Sequence, residues 1–97
     1  MVVEHPAGSR DEENRQMVYR LNCGYVQQIL EEQNEWQDAC ILGEKDQLEW
    51  FDGEVKAEVV IDGKSVWAVA AADCFLTSDA ILREMAFLGD AQKISMF

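Results

Sequence analysis

Ninety-seven residues, 48% of them hydrophobic and only one proline, are enough for one small domain with its own core and exclude a chain disordered throughout. Nineteen Asp and Glu against eight Lys and Arg leave a net charge of −11, which excludes direct gripping of a nucleic-acid backbone, where basic residues must face phosphate. The longest apolar run is far too short to span a membrane, and MVVEHPAGSRDEENR lacks the basic start and apolar stretch of a secretion signal.

The charge is unevenly spread. Residues 1–30 and 63–97 each hold four acids and three bases, whereas residues 31–62 hold eleven acids and two bases. The middle third of the chain therefore carries nearly all of the excess.

In chain order, residues 1–10 show no periodicity and are expected to form a mobile tail ahead of a single α+β domain over 11–97. A long helix is expected from Asp11, because Asp11, Glu12 and Glu13 suit the positive end of a helix dipole. At 100° per residue, Val18, Leu21, Tyr25, Ile29, Trp36 and Cys40 fall on one stripe. Gly43 is the natural stop, and Gly43-Glu44-Lys45-Asp46 is a polar connection.

Two Asp-Gly pairs follow. Asp62-Gly63 stands between runs rich in β-branched residues and predicts a two-residue type I′ hairpin turn. That turn sets Ile61 opposite Lys64, Val59 opposite Val66, Glu58 opposite Trp67, Ala57 opposite Ala68 and Val55 opposite Ala70. Opposed residues share a face, so Val55, Ala57, Val59, Ile61, Val66, Ala68 and Ala70 form an apolar face toward the core. Lys56, Glu58, Val60, Ser65, Trp67, Val69 and Ala71 form a mixed face. Asp52-Gly53, read the same way, adds a strand at about Gln47 to Phe51, with Trp50 on the apolar face. A second helix is expected after Thr77 or Ser78 as cap, with Ile81, Leu82, Met85 and Leu88 buried and Gly89 beyond its end. KISMF closes the chain as a short strand or a tail. The expected order is α-β-β-β-α, with a final β, in a two-layer sandwich.

This order is similar to that of the double-stranded-RNA-binding domain over about Val55 to Leu88, in topology and apolar pattern. The resemblance implies that fold alone. The basic residues with which that module holds phosphate have no counterpart at Ser78-Asp79-Ala80-Ile81, where Arg83 is the one base of the helix.

No residues point to catalysis or to a cofactor. No C-x-x-C or H-x-x-x-H spacing suggests zinc, and Glu44, Asp46 and Glu49 do not match a calcium loop. Cys23, Cys40 and Cys74 are widely spaced and are read as reduced thiols in a cytoplasmic setting. Cys74 precedes a helix start but has no base, since His5 is the one histidine and lies in the expected tail. Ser78 is better explained as a cap, and no glycine-rich phosphate loop occurs.

The acidic middle and the mixed sheet face are left to carry function. They lead to the expectation of a non-catalytic protein-binding module. Specifically, it would be a small acidic inhibitor that occupies the basic nucleic-acid-binding surface of a partner, as phage-encoded anti-CRISPR inhibitors of bacterial defence systems do. Glu44, Asp46, Glu49, Glu54 and Glu58 would provide capture, with Phe51, Val60, Trp67 and Val69 as apolar contacts. The alternative is a homodimeric structural or accessory subunit joined through the mixed face. Neither reading involves a membrane, a metal or direct nucleic-acid contact.

Overall fold

Asp62 and Gly63 take φ values of 50° and 80°, the two positive angles that a type I′ turn needs. In the computed structural model, which describes residues 1–30 and 33–97, this turn joins β4 (Glu54–Ile61) to β5 (Lys64–Ala70). The pairs Ala57–Ala68, Glu58–Trp67, Val59–Val66 and Ile61–Lys64 form as the turn dictates. A bulge between Val55 and Ala57 then sets Val55 opposite Val69 rather than Ala70.

Around this hairpin the described residues build a mixed sheet of six strands, completed by β1 (Val2–His5), β2 (Asn22–Leu30), β3 (Gln33–Ile41) and β6 (Ala91–Met96). The spatial order is β1-β2-β3-β5-β4-β6. All neighbours are antiparallel except β3 and β5, which run parallel through Ala39–Trp67, Cys40–Ala68 and Ile41–Val69. The one α-helix among the described residues, α1 (Ser78–Glu84), is followed by a 3-10 turn at Ala86–Leu88. Thr77 caps α1 by accepting from the Ala80 N–H at 3.1 Å.

The fold is therefore mainly β, which corrects the expected α-β-β-β-α sandwich and its likeness to the RNA-binding module. The long N-terminal helix does not form. Asp11 accepts from the N–H groups of Glu13 and Asn14 (2.8 and 3.0 Å), a bond that would equally cap a helix, but the chain folds back on itself instead, with the Asp11 N–H donating to the Met17 carbonyl (3.0 Å) and the Tyr19 N–H to the Ser9 carbonyl (2.8 Å). From Leu21 onward the chain is extended. Leu21, Cys23 and Tyr25 alternate with Asn22, Gly24 and Val26, and an i, i+4 spacing is even, so it satisfies a strand face as well as a helix stripe. Antiparallel pairing from Asn22–Ile41 to Leu30–Gln33 then puts odd-numbered residues of β2 beside even-numbered residues of β3. Cys23 thus meets Cys40 on the same face as Tyr25 and Trp36, whose rings pack edge to face at 4.7 Å. Residues 1–10, expected as a tail, contain β1. The strand predicted at Gln47 to Phe51 is replaced by an isolated bridge from Trp50 to Val2. Gly53 lacks the positive φ of a type I′ turn. It serves close approach instead, since a Cβ there would run into the Phe51 ring and lie 2.6 Å from the Ala70 carbonyl oxygen.

One sheet face holds the core. Leu21, Cys23, Cys40, Leu42, Ala57, Val59, Ile61, Val66 and Ala68 are buried there beneath Ile81 and Met85 of the helical segment and beneath Tyr19. Ala57, Val59, Ile61, Val66 and Ala68 face the core as the hairpin register assigns, whereas the bulge sets Val55 beside Val69 and outside the core cluster. The second face carries Asn22, Ala39, Ile41 and Val69, all buried, and then the half-buried Gln37, Ser65, Trp67, Glu58 and Val60.

Gly24 is the tightest point of the sheet, because a Cβ there would collide with the Val2 carbonyl oxygen of β1. Gly24→Val should cost about 1–3 kcal/mol, the usual range for overpacking, and should detach β1. Urea unfolding reads the loss. Wild-type stability in this variant would show that β1 is not seated against Gly24.

Candidate functional site

The segment from Gly43 to Gly53 joins β3 to β4 and carries Glu44, Asp46, Glu49 and Asp52, with Glu54 opening β4. It is fastened at several backbone points. Asn22, fully buried on the second face, accepts from the Leu48 N–H (3.1 Å) and the Ala7 N–H (3.0 Å) and donates to the Asp46 carbonyl (2.8 Å). The Val3 N–H donates to the Glu49 carbonyl (3.0 Å), and Met1 and Phe51 exchange bonds of 2.6 and 3.1 Å. Gln47 donates to the Ala7 carbonyl (2.7 Å). Each strut is satisfied by backbone groups, so the carboxylates are free to face solvent. The connection is a platform rather than a slack loop.

Asp46, Glu49, Asp52 and Glu54 are exposed and Glu44 is half-buried. Among the described residues the one ion pair is Lys56 to Glu54 (3.2 Å), and Lys56 divides itself by also donating to the Ala72 carbonyl (3.1 Å). Among these acids in sequence, between Glu49 and Asp52, stands Trp50, with 63% of its surface exposed. Sequence reasoning missed Trp50 as a surface residue because the second Asp-Gly pair placed it on the core face. The one signal in the sequence was its position, an aromatic side chain between the acids Glu49 and Asp52.

The other sequence-derived candidates separate. Phe51 is half-buried, with its ring against Gly53. Val69 is 3% exposed and belongs to the sheet interior. Trp67 is half-buried between its sheet neighbours Ala39 and Glu58. Glu58 accepts from Ser65 Oγ (2.8 Å), and Gln37 Nε2 donates to the Ser65 carbonyl (2.9 Å), giving a polar belt across β3, β5 and β4 beside Trp67 and Val60. The platform thus gathers Glu44, Asp46, Glu49, Phe51 and Glu54, while Glu58, Val60 and Trp67 lie on the second face. Glu31 and Glu32, the start of the acidic middle, lie outside the described residues.

On the core side, a cleft of about 370 Å³ opens between the N-terminal segment and the hairpin turn. Cys23, Cys40, Val66 and Leu88 are among its apolar lining, and Glu4, Asp11, Asp38, Asp62 and Lys64 lie around it. Its wall is Tyr19, stacked on His5 with ring centres 4.3 Å apart and donating to Asp11 Oδ2 at 3.1 Å. Burial pushes the Tyr19 phenol up to about 12, and the bond to Asp11 adds to the shift. The N–H bonds from Asn14 and Glu13, followed by the Tyr19 hydroxyl, hold Asp11 below its ordinary value. Asp11 is thus committed to the fold. Among the described residues no three His, Cys, Asp or Glu side chains converge as a metal site.

Cys23 and Cys40 are joined as a disulfide across β2 and β3, with Cα atoms 4.1 Å apart, and Cys74 is free. This corrects the expected reduced state of Cys23 and Cys40. Among the described residues, no helix is long and apolar enough to cross a membrane. Comparison of the chain with known protein families, curated proteins and solved structures finds no match.

Tyr19 gives a pH signature. A phenol whose folded pKa is raised from 10.0 to about 12 binds its proton more tightly in the folded state, so stability falls as pH climbs through that window. Asp11 acts at the other end. Its lowered pKa contributes stability above the ordinary value of 3.8, lost as pH falls through the folded value. Tyr19→Phe should flatten the decline between pH 10 and 12, measured as urea midpoint against pH. An unchanged alkaline slope would contradict the burial assigned to Tyr19.

Proposed function

We propose that this chain is a non-catalytic protein-binding module that presents a fastened acidic platform to a basic protein surface. The observation that carries the reading is the set of exposed carboxylates on residues 44–54, held by Asn22 and β1 around the exposed Trp50. A platform ordered before binding loses less conformational entropy on association than a flexible acidic tail does. Carboxylates on its rim accelerate encounter with a positive surface and set orientation, while a central aromatic supplies buried area. A groove that holds a nucleic-acid backbone is one such basic surface.

Ordinary solubility also requires negative charge, and the two explanations differ in where the charge must be. The test is affinity for the basic protein that co-purifies with the chain from its native source. Glu44→Lys, Asp46→Lys and Glu49→Lys together should weaken binding at least about tenfold. Three reversals on the helical side, Asp73→Lys, Asp79→Lys and Glu84→Lys, should weaken it far less. Trp50→Ala should cost about 2 kcal/mol, as a hot-spot aromatic does. Equal losses from both charge sets, or an affinity unchanged between about 50 and 500 mM salt, would overturn the reading.

A further inference from the structure

The two edges of the sheet are finished differently. At β1 the chain covers its own edge, with Glu49 and Phe51 taking up the Val3 N–H and the Met1 backbone groups. At the other end β6 is the last strand, and no further strand pairs with it among the described residues. The Phe97 N–H donates inward to the Lys56 carbonyl at 2.9 Å, so by alternation the N–H and C=O groups of Ile94 and Met96 point outward. An uncovered row of backbone donors and acceptors is a template for another strand.

We infer that β6 pairs antiparallel with β6 of a second copy of this chain, joining two six-stranded sheets into one. Charge selects this occupant. Two molecules of net charge −11 repel over most of their surface, whereas Ala91–Met96 contains no acid and carries Lys93. With Ile94 on the twofold axis, each copy's Lys93 stands beside the other's Ser95, whose β4 neighbour is Glu58. Glu58 is half-buried, accepts from Ser65, and has no ion pair among the described residues. A lysine reaching over the small Ser95 meets that carboxylate, and the symmetry makes the contact twice. The same pairing covers Met96 and Phe97, which are 46% and 72% exposed at the end of the strand. Most of the acidic platform is fastened to β1 at the opposite edge, and its last acid, Glu54, opens β4 beside the end of β6, so each dimer presents two platforms.

Sedimentation equilibrium from micromolar to millimolar chain tests the pairing. Wild type should move from one chain mass to two as concentration rises. Met96→Pro removes an outward N–H and no bond to β4, and should remain at one chain mass. Lys93→Glu should weaken association at least about tenfold. Hydrogen exchange gives a reading that needs no variant. The Ile94 and Met96 amides should exchange quickly in dilute protein and slow as concentration rises. A single chain mass throughout, a Met96→Pro dimer as tight as wild type, or exchange of these amides independent of concentration would each overturn the inference.

Discussion

Asn22 is the constraint on which the arrangement turns. It is the one buried polar side chain among the described residues, and its amide is satisfied by Ala7, Leu48 and Asp46. Were it apolar, two N–H donors and one carbonyl would lose their partner, at about 1–3 kcal/mol for each group left buried and unsatisfied. Its bonds tie three separate stretches of chain to the second sheet face: the exit from β1, the start of β2 and the β3–β4 connection. Ordering the ten or so residues of that connection costs on the order of 10 kcal/mol in backbone entropy. Its half-dozen hydrogen bonds offset about 6 kcal/mol at a net value near 1 kcal/mol each. Partial burial of Leu48 and Phe51 supplies the remaining few kcal/mol. Neither contribution suffices alone, so the acidic platform exists because polar anchoring and apolar docking occur in the same segment.

The parts of this fold legible in the sequence are those governed by short-range chemistry. Asp62-Gly63 specifies its turn and, through it, the register of Ala57, Val59, Val66 and Ala68. Thr77 marks the helix start, and Ile81 and Met85 mark its buried side. What was hidden depends on partners distant in sequence. The β2–β3 pair reads as a helix stripe because Leu21, Tyr25 and Ile29 are four apart, a spacing common to both periods. The odd positions Leu21 and Tyr25 and the even positions Trp36 and Cys40 share a face because paired residue numbers in this particular antiparallel register add to an odd total. Between Tyr25 and Trp36 the sequence holds no glycine or proline, so nothing local distinguishes two strands from one helix. The parallel contact of β3 with β5 leaves no local trace at all. Of the candidate residues, the loop acids were legible by composition. Trp50 was misplaced because it bridges Val2 of β1, and Val69 because it is flanked by Ile41 of β3 and Val55 of β4, pairings that were not foreseen.

Electrostatics gives the molecule a polarity that its net charge conceals. The platform runs from the end of β3 to the start of β4, where Lys56 is the one base paired with an acid among the described residues. β6 itself contains no acid. Every described carboxylate is exposed or half-buried, so none is spent on a buried ion pair whose desolvation would cancel its benefit. Asp11 is the carboxylate most committed to structure, through two backbone N–H groups and Tyr19. The remaining acids are available to a partner, and their arrangement depends on how firmly the platform is held.

That firmness can be measured directly by hydrogen exchange at the Leu48 amide, whose N–H is donated to Asn22 Oδ1 rather than to a strand neighbour. A fastened platform predicts protection of Leu48 comparable to that of β4 amides, and its loss in Asn22→Ala while the β4–β5 hairpin stays protected. Exchange of Leu48 in wild type at the rate of an unstructured peptide would show a slack loop and contradict the account.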